Sequence, residues 1–231
     1  MRICALGDSI FEGYLVGGKS LIYYLQGKGY DIDNYGVNGL TTDEVLYAIN
    51  NLMTYDLYFL LIGLNDFYNG RSLGYVTKNI NKIIEKLKSL GGKIIVITPY
   101  PTSFKNLDKA YESFINFNSV NKNIENLDKV LKKSAKDYTV ISFYDYAKEN
   151  YIEDDLIDGI HPNERLHEKL AEFVEENLNG YIWYFEQKNW LQAIFKSRKD
   201  FICYFDFVIY RIFILQFSHK SWGTKGLRSW L

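Results

Sequence analysis

The feature that most constrains this chain is an alternation. Five short apolar runs stand at Ile3–Leu6, Tyr30–Tyr35, Leu57–Ile62, Lys93–Thr98 and Tyr138–Phe143. Segments with helical spacing follow them, at Lys19–Lys28, Thr42–Leu52, Val76–Leu90, Phe114–Lys133 and Glu164–Leu178. In Val76–Leu90 the apolar residues Val76, Ile80, Ile83, Ile84 and Leu87 recur every three or four positions, so they share one helix face. Gly91-Gly92 is a good stop for that helix. Thr41 or Thr42 can cap the preceding one, with Asp43 and Glu44 in its first turn. Strand–helix alternation of this kind predicts an α/β domain whose parallel strands carry helices on both faces. Its crossovers are expected to be right-handed.

A length of 231 residues suits one such domain with an extension, divided here as 1–180 and 181–231. Apolar residues make up 47%, enough for a core, and the formal charge of −1 points to no polyanionic partner. Nucleic-acid binding is therefore not expected. Cys4 and Cys203 make no disulfide framework, and Cys4 reads as a small apolar residue of the first strand. The first strand begins at residue 2 or 3 and leaves no room for a signal peptide, so a cytoplasmic location is expected.

The character changes after Gly180. Residues 181–217 hold thirteen aromatics, with Lys196, Arg198 and Lys199 before the most apolar part and Lys220, Lys225 and Arg228 after it. The run Phe201–Phe217 sits at the short limit for a bilayer span, and Asp206 and Arg211 within it argue against one. Three readings stay open: helices packing on the domain, a homo-oligomer contact, or an anchor lying on a membrane surface.

Ile3–Leu6 leads straight into Gly7-Asp8-Ser9. A serine is thus presented at the carboxyl end of a strand, where open α/β sheets bind their ligands. Ester hydrolysis by a serine also needs a base, a group to orient that base, and donors for the oxyanion. The chain has three histidines. His167 lies in a Glu- and Lys-rich helix and is expected to be solvated, and His219 lies in the basic tail. His161 sits in a loop before Pro162, a residue suited to the first turn of a helix. Asp158, three residues earlier, can reach the imidazole Nδ1 within one short loop and leave Nε2 facing Ser9. Asp154 and Asp155 are expected to form a solvated acidic surface.

Four blocks stand in order along the chain: Gly7-Asp8-Ser9, then Asn34 to Gly39, then Gly63-Leu64-Asn65-Asp66, then Asp158-Gly159-Ile160-His161. Together they resemble the SGNH (GDSL-type) hydrolases, a family of serine esterases, lipases and thioesterases, over roughly residues 1–180. One block alone is a weak signal. Four in order, at predicted strand ends and in a late loop, are specific.

The resemblance implies a flavodoxin-like three-layer α/β/α sandwich with a five-stranded parallel sheet in the order 2-1-3-4-5. It implies cleavage of a small-molecule carboxylic ester through an acyl-enzyme, with Ser9 as nucleophile, His161 as base and Asp158 as its orienting partner. It also implies an oxyanion hole made by the backbone N–H of Ser9, the backbone N–H of Gly39 and the side-chain amide of Asn65, and no cofactor. A glycine admits close backbone approach to substrate, and Asn65 follows an apolar strand. Asn38 and Asp66 are expected to fix loops, and Asp8 to hydrogen-bond within its own turn. Phe11, Phe67, Tyr68, Tyr100 and Phe104 are candidates for an acyl or aryl pocket or for ordinary packing. A thioesterase, lysophospholipase or carbohydrate deacetylase on the same triad stays open. So does a non-catalytic protein that binds a membrane or a partner through its tail.

Two other chemistries are weaker. Gly13 to Ser20 fits the phosphate-loop pattern, but that pattern needs a strand running into its first glycine, and six residues separate Leu6 from Gly13. The chain holds no His/Cys cluster, so no metal is expected.

Overall fold

The computed structural model describes residues 1–107 and 114–178. The expectations for the aromatic tail, and the boundary at 180, lie outside the described residues.

Within Met1–Leu178 the chain builds one five-stranded parallel sheet. Strand β1 (Arg2–Gly7) leads through the short helix α1 (Ser9–Glu12) to α2 (Leu21–Gly27) and β2 (Asp31–Gly36). Then come α3 (Thr42–Ala48), a 3₁₀ turn at Ile49–Asn51, β3 (Leu57–Leu61), α4 (Leu64–Tyr68) and α5 (Leu73–Ser89). After β4 (Lys93–Thr98) follow α6 (Phe117–Ser134), β5 (Thr139–Ser142), α7 (Phe143–Asn150) and a 3₁₀ turn at Ile152–Asp155. A last helix, α8, covers 164–178. The strand order is β2-β1-β3-β4-β5, as the resemblance implied.

Beyond their first residues, β1, β3 and β4 are buried on both faces, which is why they read as continuous apolar runs. The chain steps one way from β1 to β2 and the other way from β2 to β3. With right-handed crossovers, that reversal puts α2 on one face and α3, α5 and α6 on the other. Contacts agree. Helix α3 packs on α5, and α5 on α6, whereas Lys28, at the carboxyl-terminal cap of α2, pairs with Glu175 of α8 at 2.5 Å. The reversal also creates a crevice between the carboxyl ends of β1 and β3, the place where such sheets take ligands.

Helix boundaries follow the caps. Ser20, Ser72 and Asn116 accept from the backbone N–H of Tyr23, Tyr75 and Ser119 at the starts of α2, α5 and α6. Thr41 is the cap of α3, and Glu44 accepts from its N–H and hydroxyl at 2.8 and 2.7 Å. Helix α6 starts at Phe117, three residues later than the periodicity alone suggested, because Asn116 supplies the cap. Helices α1, α4 and α7 were not anticipated from the sequence. The first two span four and five residues, too short to show a period.

Two sequence expectations are corrected. His167 is fully buried, not solvated. It shares a face of α8 with Leu166, Leu170, Ala171, Val174 and Leu178, all equally buried, and its Nδ1 accepts from the Leu21 N–H at 3.1 Å. Asp155 is likewise buried, while its neighbour Asp154 is exposed and pairs with Lys105. Asp155 accepts from Arg165 Nε at 2.9 Å and from Asn163 Nδ2 at 3.1 Å, and so ties the 3₁₀ turn to the start of α8.

Candidate active site

Ser9 lies just past the end of β1 as the first residue of α1, and is 4% exposed. Asp8 caps α1 with its own side chain, whose Oδ1 accepts from the Ile10 N–H at 3.1 Å, as its expected local role required. Complete burial pushes the Asp8 carboxyl up to about 6, against the Ile10 hydrogen bond and the His161 charge, which act to lower it. Among the described residues, the Ser9 and Gly39 N–H groups donate to no other protein group.

From 152 positions away, His161 Nε2 meets Ser9 Oγ at 3.0 Å. His161 Nδ1 stands 2.7 Å from Asp158 Oδ2. With its proton on Nδ1, directed at the carboxylate, the imidazole offers the Nε2 lone pair to the Ser9 hydroxyl. Asp158 Oδ1 accepts from the backbone N–H of Ile160 at 3.0 Å and of His161 at 2.8 Å. Burial alone would raise the Asp158 carboxyl. The His161 side chain and backbone, the His161 charge and the Ile160 N–H outweigh it and hold the group below its ordinary value.

The loop that carries both residues is pinned from several sides. Leu156 pairs with Pro162 across its base, and the Ile157 N–H donates to the His161 carbonyl at 2.8 Å. Tyr100, just past β4, donates its hydroxyl to the Ile160 carbonyl at 2.9 Å. The Ser103 N–H donates to the Gly159 carbonyl at 2.8 Å. Gly159 has φ 82, and a Cβ there would stand 2.4 Å from the Ser103 carbonyl oxygen, so the position is restricted to glycine twice over.

Gly39 and Asn65 come from the loops after β2 and β3. The Leu40 N–H closes a turn onto the Val37 carbonyl at 3.1 Å, with Gly39 at its third position at φ 78. The Val37 N–H donates to the Gly7 carbonyl at 3.1 Å, which hangs this turn on the end of β1. Asn65 is partly exposed, and its Nδ2 donates to the Leu40 carbonyl at 3.0 Å, leaving the second amide hydrogen free. Asp66 fixes the loop, as expected. Buried, it accepts from the Thr42 N–H at 2.9 Å and the Thr42 hydroxyl at 2.6 Å. Asn38 does not share that role, since it is exposed on the turn. Asn34 takes it instead, with Nδ2 donating to the Phe11 carbonyl at 2.7 Å and Oδ1 accepting from the Gly36 N–H at 2.9 Å.

Phe11, Phe67 and Tyr100 are buried in the core rather than lining a pocket. Tyr68 and Phe104 flank Phe117 in a cluster beyond the ends of β3 and β4, at ring distances of 5.9 and 6.1 Å. The phosphate-loop pattern has no strand before it. Strand β1 ends at Gly7, and Gly13 caps the end of α1. Among the described residues, no helix is long and apolar enough to cross a membrane.

This arrangement can be compared with known proteins. A "Multidomain esterase" of Ruminococcus flavefaciens is 27% identical over a 232-residue alignment that covers 79% of this chain and 29% of that protein. The chain thus spans about three tenths of that relative's length. A crystal structure of a lipolytic protein of the G-D-S-L family from Veillonella parvula matches with a TM-score of 0.61 at 25% identity, covering 76% of this chain and 97% of that one. A carbohydrate acetylesterase from Sinorhizobium meliloti shares the fold with a TM-score of 0.59 at 17% identity, over 78% of this chain and 100% of the other. The family model described as "GDSL-like Lipase/Acylhydrolase family" matches residues 5–169. With most of its length inside that match, the chain belongs to the GDSL-like lipase/acylhydrolase family.

Proposed function

We propose that this protein is a serine hydrolase that cleaves carboxylic esters through an acyl-enzyme. Membership of the family supports ester hydrolysis in general. The finer reading rests on one observation, the unbroken chain Ser9 Oγ, His161 Nε2, His161 Nδ1 and Asp158 Oδ2 at 3.0 and 2.7 Å.

In this reading the Ser9 oxygen bonds to the acyl carbon as its proton passes to His161 Nε2. Asp158 keeps Nδ1 protonated and stabilises the imidazolium. The negative charge on the former carbonyl oxygen is received by the N–H groups of Ser9 and Gly39 and the free amide hydrogen of Asn65. The carbon–oxygen bond to the leaving alcohol then breaks, and Nε2 returns the proton to that oxygen. Water repeats the sequence on the acyl-serine and releases the acid.

The test is hydrolysis of p-nitrophenyl acetate by wild type and Ser9→Ala, with labelling by a fluorophosphonate probe. A loss on the order of 10⁴-fold or more, with labelling abolished, is expected. Equal rates in the two proteins, or labelling of another serine, would remove Ser9 from the mechanism. A thioesterase, lysophospholipase or carbohydrate deacetylase would use the same groups and is sorted by substrate profiling.

A further inference from the structure

The segment between α1 and α2 is built as a bridge across the site. The Ser9 carbonyl accepts from both the Gly13 and Tyr14 N–H, at 3.0 and 3.1 Å. The Tyr14 ring packs on the His161 imidazole, with centroids 4.8 Å apart and planes inclined by 64°. Tyr14 therefore touches the base through its ring and the nucleophile through its backbone. At the far end Lys19 pairs with Glu164, at the start of α8, at 3.0 Å. Despite this anchoring, Tyr14 remains 40% exposed and its neighbour Leu15 48%. Leu15 has φ 65, a conformation that L side chains rarely adopt. An anchored, strained segment that holds two apolar side chains in solvent beside the base is a surface made for contact.

Its position says with which part of a substrate. In acyl transfer the proton on His161 Nε2 must go to the leaving oxygen, so the alcohol half of the ester departs alongside the imidazole. The side chains flanking that imidazole are those the alcohol meets. Resting on the hydrolase reading above, we propose that Tyr14 is a platform for the alcohol half, selecting esters of ring alcohols, either a pyranose or a phenol. A fixed, flat, half-exposed ring removes most apolar area from water when its partner is also flat. A rigid platform also adds little ordering cost on binding. Both sources present the same chemistry, an apolar ring face next to the ester oxygen.

The experiment holds the acyl group constant and varies the alcohol. kcat/KM is measured for phenyl acetate, a monoacetylated methyl xyloside and ethyl acetate with wild type, Tyr14→Ala and Tyr14→Phe. Tyr14→Ala is expected to lose about three- to tenfold on ring alcohols relative to ethyl acetate, with Tyr14→Phe close to wild type. A selective loss on the xyloside alone assigns the platform to sugars, and on phenyl acetate alone to aryl groups. The ratio of phenyl acetate to phenyl butyrate should be unchanged by Tyr14→Ala. An equal fall on all three alcohols, or none, overturns the platform and leaves the hydrolase reading standing. Failure of wild type on every ester, with no fluorophosphonate labelling of Ser9, overturns both.

Discussion

The side-chain amide of Asn65 donates one of its two hydrogens to the Leu40 carbonyl at 3.0 Å, joining the loop after β3 to the turn that holds Gly39. That bond aims the remaining amide hydrogen and couples two of the proposed oxyanion donors. Asn65→Ala removes both the donor and the tie. It should lower kcat by about 100- to 1000-fold, with KM little changed, because the interaction strengthens only as charge develops. Steady-state kinetics on p-nitrophenyl acetate read this, and a pure KM effect would contradict it.

Asp158 receives the His161 Nδ1 and two backbone N–H groups of the same loop. Asp158→Asn keeps the shape but no longer enforces a proton on Nδ1. The predicted fall in kcat is on the order of 10³- to 10⁴-fold. Circular dichroism should stay at the wild-type signal. A loss under tenfold would show that the tautomer does not depend on this residue.

His167 makes stability depend on acid. Burial, with a smaller contribution from the His161 charge, lowers it from the ordinary 6.5 to about 4. The folded state thus favours the neutral imidazole, while the unfolded chain binds the proton more readily. Its contribution is complete above pH 6.5 and is lost as pH falls towards 4, by up to about 3 kcal/mol. Asp8, raised to about 6, acts in the opposite sense, contributing below the ordinary carboxylate range and losing that contribution as pH rises through 6. It is common to wild type and His167→Asn, so it cancels in their difference. Asn can keep an acceptor for the Leu21 N–H without titrating. Between pH 6.5 and 4.5 the urea midpoint should fall more steeply for wild type than for the variant, and parallel curves would refute the assignment.

Gly159 fixes the loop between Asp158 and His161. Gly159→Ala must occupy φ 82 and meet the Ser103 carbonyl oxygen at 2.4 Å. A cost of about 2 kcal/mol or more in urea denaturation is expected. Activity should fall with it, because displacing this loop moves the imidazole from Ser9. Wild-type stability and rate in the variant would show that the loop yields freely.

Much of this was legible in local pattern. Leu57–Leu61 and Lys93–Thr98 announced themselves as buried strands, and Val76 to Leu87 as one face of a helix. The four blocks named in advance the residues that the structure brings together in the candidate site. His167 was misread because the Glu and Lys residues around it dominate the segment. Its spacing from Ala171, Val174 and Leu178 was the signal that placed it on the buried face. Asn38 drew the loop-fixing role because it stands directly before Gly39, whereas Asn34 is followed by Tyr35, and only the approach of α1 to β2 shows that Asn34 takes it.

Periodicity, caps and turn glycines are properties of neighbouring residues, so the sequence by itself determined the order and kind of the main strands and helices, and the chemical inventory of the site. Distances between remote groups are not such properties. The meeting of Ser9 with His161 across 152 positions, the joining of Asn65 to Leu40, and the seating of Tyr14 against the imidazole were decided by the tertiary structure. Parallel pairing brings the carboxyl ends of the strands to one rim, the reversal of strand order beside β1 opens a crevice there, and only packing on that sheet fixes which loops touch in it.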